Sequence, residues 1–203
     1  MKPANAEAEN VRIVTKADGI YEGVCQLINA SVHVNGDYEK TERNWDTIEV
    51  LVDEPVSSKE DTLKLGIMPG DYVCFEPRTR VTKSGYIKSR FLDDKFSAAI
   101  LLGYGKYLKE ENIQPDRFVY AHFTVYEEVG HGGSASVPAG VTEAWSVDMG
   151  CVGDGLMCTE REVSICAKDS GGPYNYEIVS RLVELAKENN IGFAVDVYPH
   201  YGS

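Results

Sequence analysis

Positive charge is scarce in this sequence: 20 Lys and Arg stand against 32 Asp and Glu over 203 residues, a formal net charge of -12. Nucleic-acid affinity comes mainly from clustered Lys and Arg, so a nucleic-acid partner is not expected. No run of 18 apolar residues occurs, and the amino terminus does not pass from basic to apolar. Neither a membrane span nor a signal peptide is therefore expected. Cysteine is sparse and odd in number: Cys25, Cys74, Cys151, Cys158 and Cys166 contain no C-x-x-C pair. That supports neither a zinc knuckle nor a disulfide framework, and reduced structural thiols in a cytoplasmic protein are the simplest account. No H-E-x-x-H helix is present, which removes the zincin arrangement. What is there, 43% hydrophobic and 26% charged residues, is ordinary globular composition. The length suits one large or two small domains.

The pattern changes near Ser84-Gly85. Before it, short β-like runs alternate with turn signals: Val11 to Thr15, Ile20 to Asn29, Ile48 to Val52 and Tyr72 to Phe75. Their spacing predicts a small β-barrel or sandwich. Ser58 with Asp61, or Ser57 with Glu60, reads as a capping box for one short helix that Gly66 can end. After Ser84-Gly85, helices alternate with strands. Phe96, Ala99, Ile100, Gly103, Tyr104, Tyr107 and Leu108 recur at helical spacing, as do Ile178, Val179, Leu182, Val183, Leu185 and Ala186. Strands are expected at Phe118 to Val125, Val141 to Val147, Val163 to Ala167 and Phe193 to Val197. The alternation implies an α/β layer with a largely parallel sheet, whose ligands gather where strands end. That layer has few helices and stops straight after a strand, so a piece of a longer polypeptide is expected.

Carboxylates collect at those strand ends. Glu127-Glu128 follows the apolar run Phe118 to Val125 and precedes Gly130-His131-Gly132-Gly133, with Asp93 upstream and Asp148 downstream. Such a set suits hard or borderline cations, with one extra carboxylate as a base. A charged surface loop is the plainer alternative. Of the histidines, His122 sits in an apolar run and reads as a core or sheet residue, and His33 as a surface one. His131 reads as a loop residue within reach of the site, and His200 is not expected to be a ligand.

Phe91-Leu92-Asp93-Asp94-Lys95, Glu127-Glu128-Val129-Gly130 and Val147-Asp148-Met149-Gly150, in that order, resemble the metal-site blocks of the M42 glutamyl aminopeptidases. The likeness extends to Val11-Arg12-Ile13 and to Lys64-Leu65-Gly66-Ile67-Met68-Pro69-Gly70-Asp71, which resemble that family's inserted dimerisation domain, and it runs on to Tyr201-Gly202-Ser203. The resemblance implies a β-rich, barrel-like dimerisation domain over residues 1–86. Residues 87–203 would be part of a three-layer α/β metallopeptidase catalytic domain. It also implies two divalent ions, zinc or cobalt: Asp93 bridging them, Glu128 on one and Asp148 on the other. Glu127 would stay unligated as general base, and Asp94 would orient the site across a cis Asp93-Asp94 bond. Paired cations acidify a shared water, and a carboxylate adjacent to a ligand can take its proton and deliver it to the leaving amine.

The departures from the family pattern are specific. Its amino-terminal His-x-Asp block and its later His are not found among these residues, Asp94 replaces the commoner Asn, and Lys95 the commoner Arg. Metal binding by this chain alone is expected to be weak or absent, and the chain alone inactive or nearly so. The leading expectation is a cytoplasmic metallo-aminopeptidase acting on peptides and assembling as a homo-oligomer through the β-rich part. The alternatives are an assembly module without catalysis and a glycoside hydrolase using a carboxylate pair.

Overall fold

The computed structural model describes residues 2–133 and 136–202. The chain divides into two compact units, one ending at Arg90 and one beginning at Phe91.

In the first unit, β1 (Glu9–Val14) and β2 (Ile20–Leu27) form an antiparallel hairpin that pairs Val11 with Gly23 and Ile13 with Tyr21. Thr15 holds the turn: its N–H donates to the Gly19 carbonyl, and its Oγ1 accepts from the Gly19 N–H at 3.0 Å. β3 (Ile48–Val52) and β4 (Tyr72–Phe75) complete a sheet of order β3-β2-β1-β4. Period-two alternation turns Val11, Ile13, Cys25 and Leu27 to the buried side, where Ala6, Ile48, Val50 and Phe75 join Val11 and Cys25. A Cβ at Gly23 would stand 2.5 Å from the Leu51 carbonyl oxygen, so glycine lets β2 and β3 approach.

The expected capping box is present in α1 (Lys59–Lys64). Ser58 Oγ accepts from the Asp61 N–H at 3.1 Å and donates to the Asp61 carboxylate at 2.8 Å. Gly66, at φ 82°, follows the helix. The Met68 N–H then donates to Asp71 at 2.8 Å, closing the tight turn into β4. No closed barrel is seen among the described residues. The sheet is open, with β3 and β4 as its two edges among the described residues. Residues 28–47 form turns held by Asn35, Thr41 and Arg43, and no described strand pairs with the free sides of β3 and β4 to close the sheet. Ser84-Gly85, where composition shifts, lies in the turn of a two-stranded ribbon, β5 (Arg80–Val81) with β6 (Ile87–Lys88).

The second unit opens with α2 (Leu92–Glu110), entered through Phe91 in the left-handed region at φ 61°. Its sheet has the order β8-β7-β9, from β7 (Val163–Asp169), β8 (Gly172–Pro173) and β9 (Phe193–Val197). β7 and β9 are parallel and joined by α3 (Tyr176–Glu188), a βαβ crossover as expected. Asn175 caps α3 by accepting from the Ile178 N–H at 3.0 Å. The helix ends where Asn190 takes φ 54° and the Ile191 N–H returns to the Ala186 carbonyl. Ile178, Val179, Leu182, Val183 and Ala186 form its covered face.

Two expected strands are not strands. Residues 118–125 and 141–147 pair with nothing among the described residues, and Phe118 and Val125 are 94% and 85% exposed. A strand exists through its ladder, and an apolar run without a hydrogen-bonding neighbour cannot form one. His122 shares that fate and is exposed instead of lying in a core or sheet. No helix among the described residues is long and apolar enough to cross a membrane.

Candidate active site

Each predicted acid is set by a distinct local device in the second unit. Asp93 and Asp94 lie at the start of α2, where their torsions leave the helical region and the peptide bond between them is cis, as the resemblance implied. Asp94 Oδ1 accepts from the Ser97 N–H at 3.2 Å, tying its carboxylate to the next helical turn. Glu127 and Glu128 open a single 3-10 turn, Glu127–Val129, closed by Gly130 at φ 81°. Tyr126 braces it: its carbonyl accepts from the Val129 and His131 N–H groups, and its ring stacks on the His131 ring at 4.9 Å and 19°. Asp148 Oδ1 accepts from the Met149 N–H at 2.7 Å.

These acids feel one another electrostatically. Partial loss of water pushes the Asp93 carboxyl above its ordinary range, and repulsion from Asp148 and then Asp94 adds to it. Glu127 is raised by loss of water, then by Asp148, Asp93 and Asp94. Glu128 is raised by loss of water, then by Asp93, Glu127, Asp148 and Asp94. Burial also raises the Cys151 thiol, which faces Asp93 and Asp148. No ion pair joins Asp93, Glu127, Glu128 or Asp148 to a cation among the described residues. The chemistry of the set fits a divalent cation: hard oxygen donors, mutually repelling and without a protein counter-charge. It is not a preformed chelate, for no three His, Cys, Asp or Glu side chains among the described residues are arranged to hold an ion.

Sequence reasoning missed the polar cluster behind Asp148, built on Asp196, Ser164, Tyr198 and Cys158. Asp196 in an otherwise apolar strand, Phe193-Ala194-Val195-Asp196-Val197, was the available signal. Asp169 lies in the β7–β8 hairpin. Its buried carboxylate accepts from the Gly171 N–H at 2.7 Å and the Tyr174 hydroxyl at 2.6 Å. All five cysteines are free. Of the Tyr201-Gly202-Ser203 block, Ser203 lies outside the described residues.

The chain thus combines a parallel βαβ unit with acidic residues from three separate blocks of sequence that repel one another. The sequence model of the M42 glutamyl aminopeptidases matches residues 1–203, and the chain belongs to that family. It is 43% identical over 197 residues to the protein named "Putative aminopeptidase YhfE" of Bacillus subtilis (strain 168), covering 97% of this chain and 57% of that protein. Among solved structures it resembles the TET aminopeptidase of the marine sediment archaeon Thaumarchaeota archaeon SCGC AB-539-E09. There the TM-score is 0.79 at 20% identity, over 99% of this chain and 57% of that one. The Pyrococcus horikoshii TET1 peptidase, which can assemble into a tetrahedron or a large octahedral shell, aligns at TM-score 0.76 and 23% identity over all of this chain and 60% of its own. At those identities the two structures speak for the fold alone. The chain thus spans somewhat over half the length of the relatives it matches.

Proposed function

We propose that the whole protein is a metal-dependent aminopeptidase that removes amino-terminal residues from peptides. The observation that carries this reading is the cluster itself: Asp93, the Glu127-Glu128 pair and Asp148 come from separate stretches of sequence, yet loss of water and then repulsion within the set push Asp93, Glu127 and Glu128 above their ordinary range. Asp93 would be shared by two divalent ions, zinc or cobalt, with Glu128 on one and Asp148 on the other. Bound there, the cations would acidify a water and polarise the scissile carbonyl.

This chain's residues do the rest. Glu127, on the same 3-10 turn as Glu128, is raised in pKa and takes a proton from the attacking water, then gives it to the leaving amine. Asp94, whose Oδ1 accepts from the Ser97 N–H, would orient the start of α2 without ligating, the role the family resemblance gives it. The 3-10 turn and the Tyr126–His131 stack keep the two glutamates in fixed relation.

The α/β unit would be part of a three-layer catalytic domain, residues 87–203, and residues 1–86 a dimerisation insert through which copies assemble. The compartment is proposed to be cytoplasmic, in keeping with five free thiols. These 203 residues hold the acids but not the two imidazoles of the family pattern, so the chain by itself is expected to show little turnover.

The test is release of an aminoacyl chromophore by the whole protein. Release abolished by a chelator and restored by zinc or cobalt supports the proposal. Release indifferent to chelation, or cleavage of glycans instead, contradicts it.

A further inference from the structure

A buried acid stands behind the segment that carries Asp148, and no step above uses it. Asp196 in β9 is 2% exposed. Its Oδ1 accepts from the Met157 N–H at 2.7 Å, and its Oδ2 accepts from the Ser164 hydroxyl at 2.7 Å. Ser164 has one proton and gives it to Asp196, so the Tyr198 hydroxyl, 2.7 Å away, donates into Ser164 Oγ. Each of the two carboxylate oxygens thus accepts from a protein donor.

From this centre, contacts run to each of the three residues that follow Asp148. Cys158, 4% exposed, neighbours Met157 and donates its Sγ–H to the Cys151 carbonyl at 3.0 Å. Gly150 lies directly on the cluster: a Cβ there would stand 3.0 Å from Ser164 Cβ and 3.6 Å from Cys158 Sγ. The Tyr201 hydroxyl donates to the Met149 carbonyl at 3.4 Å, and its ring meets the Tyr198 ring at 4.9 Å. Met149 in turn gives its N–H to the Asp148 carboxylate at 2.7 Å.

We propose that Asp196 is a positioning residue for the acidic site, fixing through Ser164, Met157 and Cys158 the backbone on which Asp148 stands. The proposal rests on the reading that Asp148 belongs to the metal site. Losing an outer partner that orients a ligand typically costs roughly 10–100-fold in metal affinity.

The experiment compares the whole wild-type protein with Asp196→Asn and Ser164→Ala, the milder second variant serving if the first does not fold. Two readouts are taken: amide hydrogen exchange over residues 148–158, and a Co2+ titration followed by visible absorption. The expected result is exchange faster by roughly tenfold in 148–158, with β1–β4 unchanged. Co2+ affinity should fall roughly 10–100-fold, with altered absorption bands. Unchanged exchange in both variants overturns the proposal. So does faster exchange with unaltered Co2+ affinity and bands, since Asp196 would then be merely structural. A wild-type protein that shows no Co2+ bands overturns the underlying metal reading and this proposal with it, and needs no variant to be recognised.

Discussion

Two sets of carboxylates in the second unit behave in opposite ways. Asp196 is almost completely buried, and burial alone would raise its pKa. Hydrogen bonds from the Met157 N–H and the Ser164 hydroxyl outweigh that, and the group sits below its ordinary value. Glu127 and Glu128 are exposed residues, yet both sit above theirs, first through partial loss of water and then through acidic neighbours, with no protein donor or cation among the described residues to offset either. Exposure therefore does not decide which acid is under tension; the count of donors does. An acid saturated by protein donors serves the fold, and acids left facing one another are suited to a positive charge from outside.

The largest effect that separates the two sets is on turnover. In the whole protein, Glu127→Gln should lower kcat by roughly 10²–10⁴-fold while metal content, measured by elemental analysis, stays the same. Loss of metal together with activity would recast Glu127 as a ligand. Next comes stability. Asp196→Ala strands two buried donors and should cost about 2–4 kcal/mol in urea unfolding, whereas a loss near zero would mean that water replaces the carboxylate.

The pH dependence of metal-free protein should show both signs. Asp196, ordinarily 3.8, is lowered, so its contribution is present above that value and is lost as pH falls through the folded pKa. Asp93, ordinarily 3.8, and Glu127 and Glu128, ordinarily 4.5, are raised. Their contribution is present below those values and is lost as pH rises through the folded pKa values. Urea midpoints in chelator should therefore peak in mild acid, and saturating zinc should remove the decline on the neutral side. A flat profile from mild acid to neutrality, or one indifferent to zinc, would break the contrast. The smallest effect is Glu128→Gln in chelator, which relieves repulsion in a solvent-screened group and should stabilise by no more than about 0.5 kcal/mol near neutral pH. Destabilisation would mean that the glutamate has a partner in the fold.

What the sequence made legible was local. Ile48–Val52 and Tyr72–Phe75 fall where alternation and turn signals put them, α3 ends at Asn189-Asn190, and Ser58 caps α1. Those depend on neighbours a few residues away. The order of the acidic blocks was equally readable, because a motif is a local object. What failed depended on distant partners. Residues 118–125 have the composition of a buried strand but no ladder to join, and nothing in the first unit's strands disclosed that β3 and β4 would remain edges. The Asp196 cluster escaped for the same reason: Met157, Ser164 and Tyr198 meet only once β7 and β9 have paired.

The most direct measurement is an anomalous difference map from crystals of the whole protein grown with zinc. The account predicts peaks contacted by Asp93, Glu128 and Asp148, with Glu127 close by but not bound. Peaks that none of those three residues touches would contradict it.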